Sequence, residues 1–240
     1  MDAKAMEPFG KALLDYFKGD CEAAMIFRRD DGIESLVPVS HFFRGPGDFT
    51  IIENSALEQC RGRILDVGAG SGLFSLALQQ RGLRVTAIDI DPRAVKVMTE
   101  RGVENSRVAD FFGFSEGKFD TLLLMGHGLG LVENIAGLKR FFGHAAELLR
   151  IGGQVLFDSL DVRCTRDPNN LAYHEANRRA GKYIGEIRLQ IEYRGKSSPY
   201  FGWLQADAET VSEHASRAGW RCEVIKQSEG GDYLARLTIV

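Results

Sequence analysis

The apolar run Ile64-Leu65-Asp66-Val67 ends in Gly68-Ala69-Gly70-Ser71-Gly72, and a helical pattern follows from 72 to about 81. A short run of this kind reads as a buried strand. The glycines let the backbone turn sharply into a helix and leave bare peptide facing a ligand. The unit then repeats. Arg84 to Ile88 is a second strand, followed by Asp-Ile-Asp-Pro and a helix to about 101. Third and fourth strands fall near 106–109 and 119–125. A helix over 133–149 places Ile135, Leu138, Phe142, Ala145 and Leu149 on one face, Gly152-Gly153 ends it, and Val155 to Asp158 is a fifth strand. Nearly continuous apolar strands alternating with helices imply an α/β fold, a doubly wound parallel sheet covered on both faces.

The flanks break this rhythm and divide the chain into four parts. Residues 1–60 form an N-terminal segment: an amphipathic helix at 8–18, two β-prone runs (24–27 and 33–39) around an Asp-Gly turn, a loop at 43–48 and a helix at about 50–60. Residues 61–158 are the repeating core. Residues 159–206 are an insertion, with a polar helix at 169–182 and a strand in which Ile187, Leu189, Ile191 and Tyr193 alternate with charged or polar residues. That strand leads through Ser198-Pro199 to a partner at about 200–205. Residues 207–240 resume the α/β pattern, with a helix to Ala218 and an antiparallel pair at 220–228 and 233–239.

Composition narrows the partners. The formal net charge is −3 and the pI about 6.0, so no global basic surface favours a phosphate backbone and nucleic acid is disfavoured as a partner. A small-molecule substrate fits better, in a monomer or homodimer. Cys21, Cys60, Cys164 and Cys222 lack metal-ligand spacing, which suggests reduced thiols in a cytoplasmic protein. No metal cluster is apparent, a transient magnesium site at Asp158 and Asp161 being the one arrangement left open. The longest apolar run, 122–132, is too short to span a bilayer.

The glycine loop alone is compatible with a bare turn, a dinucleotide site or another nucleoside site. A dinucleotide fingerprint starting at Gly68 needs glycine at the position held by Leu73. Asp89, at the end of the second strand, suits two ribose hydroxyls. Asp110, at the end of the third, suits an adenine amino group, with Phe111 packing on the ring. Asp66 beside the loop favours an ammonium. Three acids at successive strand ends would repel a pyrophosphate.

The segments LDVGAGSG (65–72), AIDID (87–91), the acid-aromatic pair at 110–111, FDTLLLMGHG (119–128) and ELLRIGGQVLFD (147–158) resemble the class I S-adenosylmethionine (SAM)-dependent methyltransferases. The resemblance covers roughly 60–160 and, by pattern, 206–240. It implies a seven-stranded, mostly parallel sheet of order 3-2-1-4-5-7-6 with the last strand antiparallel, the flanking segments forming a cap. It also implies SAM as cofactor, with the glycine loop around the methionine moiety. The expected cofactor contacts are Asp66, Gly68, Ala69, Gly70, Gly72, Asp89, Ile90, Asp110, Phe111 and Met125.

The acceptor is not named by these motifs. His127, after the fourth strand, is a candidate general base with an unperturbed pKa of about 6.5; the alternative is a loop histidine that shapes the pocket or bonds to backbone. The acid-proline-proline-aromatic motif of amino-methylating enzymes is absent. Candidate substrate contacts are Tyr16, His41, Phe42, Arg44, Tyr173, Tyr200 and Trp203, with Arg44 suited to a carboxylate. The expected function is methyl transfer to an O, N or S atom of a small molecule. The alternatives are RNA or protein as acceptor, or a SAM-binding regulator without turnover.

Overall fold

The computed structural model describes residues 2–240. Helix α1 (Ala3–Phe17) and the hairpin β1 (Ala24–Arg29) and β2 (Glu34–Pro38) come first, followed by α2 (Ile51–Gln59). The core then runs β3 (Arg63–Val67), α3 (Leu73–Gln80), β4 (Arg84–Asp89), α4 (Pro92–Glu100), β5 (Ser106–Val108), β6 (Phe119–Leu124), α5 (Gly137–Leu148) and β7 (Leu149–Leu160). Next are α6 (Pro168–Arg179), β8 (Glu186–Tyr193), β9 (Lys196–Ser197) and β10 (Phe201–Leu204). Last are α7 (Ala208–Arg217), β11 (Trp220–Gln227) and β12 (Asp232–Ile239).

The main sheet has the order β11-β12-β7-β6-β3-β4-β5. Its β5-β4-β3-β6-β7 part is parallel, and β12 runs antiparallel to both β7 and β11. This is the order implied by the resemblance. Alternation explains why both faces are covered. Along β6 and β7, Leu122, Leu124, Val155 and Phe157 face one layer, with Leu138, Phe141 and Phe142 of α5 and Val211 of α7. Leu123 and Leu156 between them face the other, with Ile52, Ala56 and Leu57 of α2 and Ala77 and Leu78 of α3. Each of the Leu, Ile, Val and Phe side chains among them, buried from water, contributes about 1.5–3 kcal/mol.

Three boundaries stand furthest from the sequence expectations. Helix α1 starts at Ala3, because the Asp2 carboxylate accepts the Lys4 backbone N–H at 3.0 Å and caps it. Helix α5 starts at Gly137 rather than 133, because Glu133 lies at φ +70° and interrupts the helical path. Strand β7 runs from Leu149, well before the expected 155, and pairs with Phe119 and again from Thr121 across an irregularity.

A second sheet has the order β10-β8-β1-β2, with β9 on β8, all antiparallel. It joins the N-terminal hairpin to the segment after β7: Phe27 faces Ile191, and Leu189 faces Phe201. One side of it packs with α1, where Met25, Ile191, Tyr193 and Phe201 are buried with Ala12 and Leu13. Helix α1 also lies on α4, at Gly10. A Cβ there would sit 2.1 Å from Asp91 Oδ1, so only glycine permits the approach.

Candidate functional site

The C-terminal ends of β3, β4 and β6 converge on a cavity of about 390 Å³, a volume in the range of small-molecule sites. The cap sheet and α1 form its opposite wall. The glycine loop forms its floor. Gly68, Gly70 and Gly72 have φ of 68°, 57° and 80°, a backbone region that disfavours side chains. The loop is fixed from behind: the N–H groups of Gly68 and Ala69 donate to the Ile88 carbonyl at 2.9 and 3.0 Å.

The acids stand at the strand ends. The Asp89 carboxylate accepts the N–H of Gly70 through Oδ2 and that of Asp91 through Oδ1, both at 2.9 Å. Burial pushes its pKa up to about 6, against those two bonds. Each oxygen keeps a lone pair for a further donor. Asp66 is buried and accepts the Ser75 hydroxyl at 2.6 Å. Burial pushes it to about 6 as well, with the neighbouring Asp89 charge adding to the rise. Asp110 is exposed on the cavity rim, and its backbone carbonyl accepts the Gly113 N–H at 3.0 Å. Beside it, Phe111 lies edge-on to His144, whose Nε2 is 2.7 Å from the Phe111 carbonyl oxygen. All ten sequence-expected cofactor contacts line this cavity except Gly72, which turns the chain into α3 against Val103 and Met98.

His127 lines the cavity from the turn after β6. Its backbone is left-handed, φ 56° and ψ 39°, following Gly126 at φ 73°. Such geometry in a non-glycine residue costs about 1–2 kcal/mol and clusters at functional sites. Its Nε2 lies 2.9 Å from Asp232 Oδ1. Asp158, buried on β7, accepts the Gly128 N–H at 3.3 Å. Burial alone would lower the His127 pKa, but the Asp232 bond and the charges of Asp158 and Asp232 outweigh it, so the net shift is upward.

The substrate-contact candidates separate into two groups. Phe42 and Trp203 line the cavity. Phe42 meets Phe9 edge-on at 5.0 Å, and its carbonyl accepts the hydroxyl of Ser71 in the glycine loop. Trp203 lies against Gly130, where a Cβ would come within 2.0 Å of the indole. The other five are placed outside the lining. Tyr16 stacks on Phe43, and His41 stands edge-on to Phe42. Arg44 is ion-paired at 2.7 Å with Glu53, which completes the capping box of α2 with Thr50. Tyr173 donates to Asp30 at 2.7 Å, and Tyr200 sits under Arg188 at the surface. Asp161 is paired with Arg163 at 2.8 Å. Among the described residues no group of three or more His, Cys, Asp or Glu is placed to hold a metal.

Sequence reasoning did not find Phe9, Phe27, Phe74, Leu131 or Gln205, which also line the cavity, nor Asp232. A signal existed for Leu189 and Ile191, whose alternation marks one apolar strand face.

A family model described as a methyltransferase domain matches residues 65–157. A ubiquinone biosynthesis O-methyltransferase of Xanthomonas oryzae pv. oryzae is 31% identical over 116 residues, 45% of this chain and 47% of that protein. The namesake from Xanthomonas campestris pv. campestris is 33% identical over 107 residues, 41% of this chain and 43% of its own length. The chain thus aligns with about half the length of these curated relatives. A solved SAM-dependent methyltransferase from Bacteroides fragilis, in complex with S-adenosyl-L-homocysteine, is similar throughout. It shares 34% identity and a TM-score of 0.87, over 100% of this chain and 97% of that one. With the glycine loop, the strand-end acids and the sheet order in place, the chain belongs to the class I SAM-dependent methyltransferases.

Proposed function

We propose that this protein transfers a methyl group from SAM to an O, N or S atom of a small molecule. The observation that carries the reading is the enclosure of one cavity between the glycine-loop end of the main sheet and the cap sheet. A site of that size, walled on both sides, suits a small molecule better than a polymer.

The residues present fit the cofactor. A side chain at Gly68 would project where no other atom lies within 4 Å, so its absence leaves open room beside the loop. Asp89 is held by two backbone donors with acceptor capacity to spare for a ribose diol. Asp110 and Phe111 offer an acceptor and a ring face to adenine, while Asp66 sets negative charge near the ammonium. Bound there, SAM supplies an activated sulfonium methyl. The chain's own work is then to align acceptor and methyl, exclude water and take up a proton where the acceptor carries one. We assign proton uptake to His127, oriented by Asp232, and acceptor contact to Phe42 and Trp203.

A cytoplasmic location is part of the same reading, supported by four free cysteines. Among the described residues no helix is long and apolar enough to cross a membrane.

Calorimetry with S-adenosylhomocysteine and transfer of label from SAM into fractionated metabolites, RNA and protein test the proposal. Label entering the small-molecule fraction is the expected result. Failure to bind the homocysteine product at high micromolar concentration would sink it. Asp89→Ala should weaken binding by at least tenfold.

A further inference from the structure

The cavity is chemically divided. Its ionisable lining groups, Asp66, Asp89, Asp110 and His127, all belong to the main-sheet side. The cap contributes Phe27, Leu189, Ile191, Phe201 and Trp203, with Gln205 as its polar member. Among the described residues no lysine or arginine lines the cavity. The polar residues of the cap sheet lie elsewhere: the Arg28 guanidinium donates to Glu34, Gln190 and Glu192, and residues 28, 190 and 192 alternate with the lining residues 27, 189 and 191. These cap residues also fall outside the stretch shared with the methyltransferase domain model, so they carry information that the family match does not.

Burying an unpaired charge against such a wall is strongly unfavourable, whereas a neutral ring of the same size loses little. On the cap side a carboxylate or phosphate would find no cation and an ammonium no anion. Aromatic side chains are suited to a flat partner. At the opposite wall stands one histidine with Nε2 tied to a carboxylate, a bond that leaves Nδ1 of the neutral ring as a proton acceptor. An acceptor amine or thiol makes little use of that arrangement; a hydroxyl does.

We propose that the acceptor is an uncharged, hydrophobic, ring-bearing compound, seated on the cap sheet against Trp203 and methylated at a hydroxyl facing His127. The hydroxyl proton passes to Nδ1 of His127. The oxygen's electron pair forms the new O–C bond as the C–S bond of the sulfonium breaks and leaves its pair on sulfur. The imidazolium then returns its proton to water. This assignment rests on the methyltransferase reading above and adds the class of acceptor to it.

The test is calorimetry on the full chain saturated with S-adenosylhomocysteine, titrated with 2-naphthol, 2-naphthoate and 2-naphthylmethylamine. 2-Naphthol should bind at least tenfold more tightly than either charged analogue, and Trp203→Ala should weaken it about tenfold. Leu189→Lys should bring naphthoate in and drive naphthol out. Unchanged affinity for S-adenosylhomocysteine shows that each variant is folded. Equal or tighter binding of a charged analogue, or no naphthalene binding by protein that binds the homocysteine product, overturns the assignment. If that product itself does not bind, it is the methyltransferase reading that falls.

Discussion

Nε2 of His127, in the turn after β6, lies 2.9 Å from Oδ1 of Asp232, the first residue of β12. The two are brought together by the pairing of β12 with β7 and of β7 with β6. Because burial lowers the histidine pKa while Asp232 and Asp158 raise it further, the folded value lies above 6.5. The charged ring therefore adds stability that is complete below the unfolded pKa and fades as pH rises through the folded one. A base must be neutral, so turnover should rise with pH through an apparent pKa above 6.5. Asp232→Asn removes the largest raising contribution and leaves burial. The limb should move to lower pH while the maximal rate falls by roughly 10²-fold. A pH–rate profile of the two proteins checks both.

Cofactor affinity should depend on pH through Asp89 and Asp66. Burial holds both near 6, so between about 4 and 6 the unliganded fold binds more protons than the unfolded chain. Its stability then falls as pH rises across that window. A ribose hydroxyl donating to Asp89 favours the carboxylate. S-adenosylhomocysteine should bind more tightly at pH 7 than at pH 5 and release protons at pH 6. Calorimetry in buffers of different ionisation enthalpy measures the release; net proton uptake would contradict the assignment.

Two helix glycines should respond in opposite directions to the same change. In an open helix, glycine to alanine gains up to about 1 kcal/mol. Gly143 in α5 meets no atom within 4 Å of a built Cβ, so Gly143→Ala should raise the melting temperature. At Gly10 the added carbon would meet Asp91. That carboxylate is buried, caps α4 and pairs with Arg93, so it has little freedom to move. Overpacking of about 1–3 kcal/mol then outweighs the helix gain. Gly10→Ala should melt lower and, since α1 carries Met6 and Phe9 into the cavity wall, bind S-adenosylhomocysteine more weakly.

Gly130→Ala should act on the acceptor without disturbing the donor. The new methyl would displace the Trp203 indole toward the cavity. Acceptor KM should rise about tenfold or more, an effect of roughly 1.4 kcal/mol. Affinity for S-adenosylhomocysteine should stay within about threefold. Trp203→Ala alone should raise KM to a similar degree, and adding Gly130→Ala to it should cost little more, which a double-mutant comparison of KM would reveal.

The donor half was legible because each of its acids lies at or just beyond the C-terminal end of a short strand, and strand ends in a parallel sheet share one edge. Asp66, Asp89 and Asp110 needed only local pattern to be placed together. The acceptor wall depends on β1 meeting β8, residues 27 and 191 side by side, and no local signal carries that pairing. Alternation in β8 marked Leu189 and Ile191 as one face without indicating what that face meets. Arg44 looked available for a carboxylate because its partner, Glu53, was read only as part of a helix. Periodicity placed the start of α5 too early, since it is blind to the left-handed backbone at Glu133.

The β1–β8 seam also dictates an order of events as the chain leaves the ribosome. Strand β1 precedes β8 by more than 150 residues, so the edge of β1 that will carry β8 must wait for residues 186–193. Through that interval an apolar strand edge is open to pairing with a neighbouring nascent copy, a hazard set by topology rather than by final stability. Interrupted synthesis or slow elongation between Leu160 and Tyr193 would therefore leave a chain equipped with its glycine loop but still open to pairing along one border.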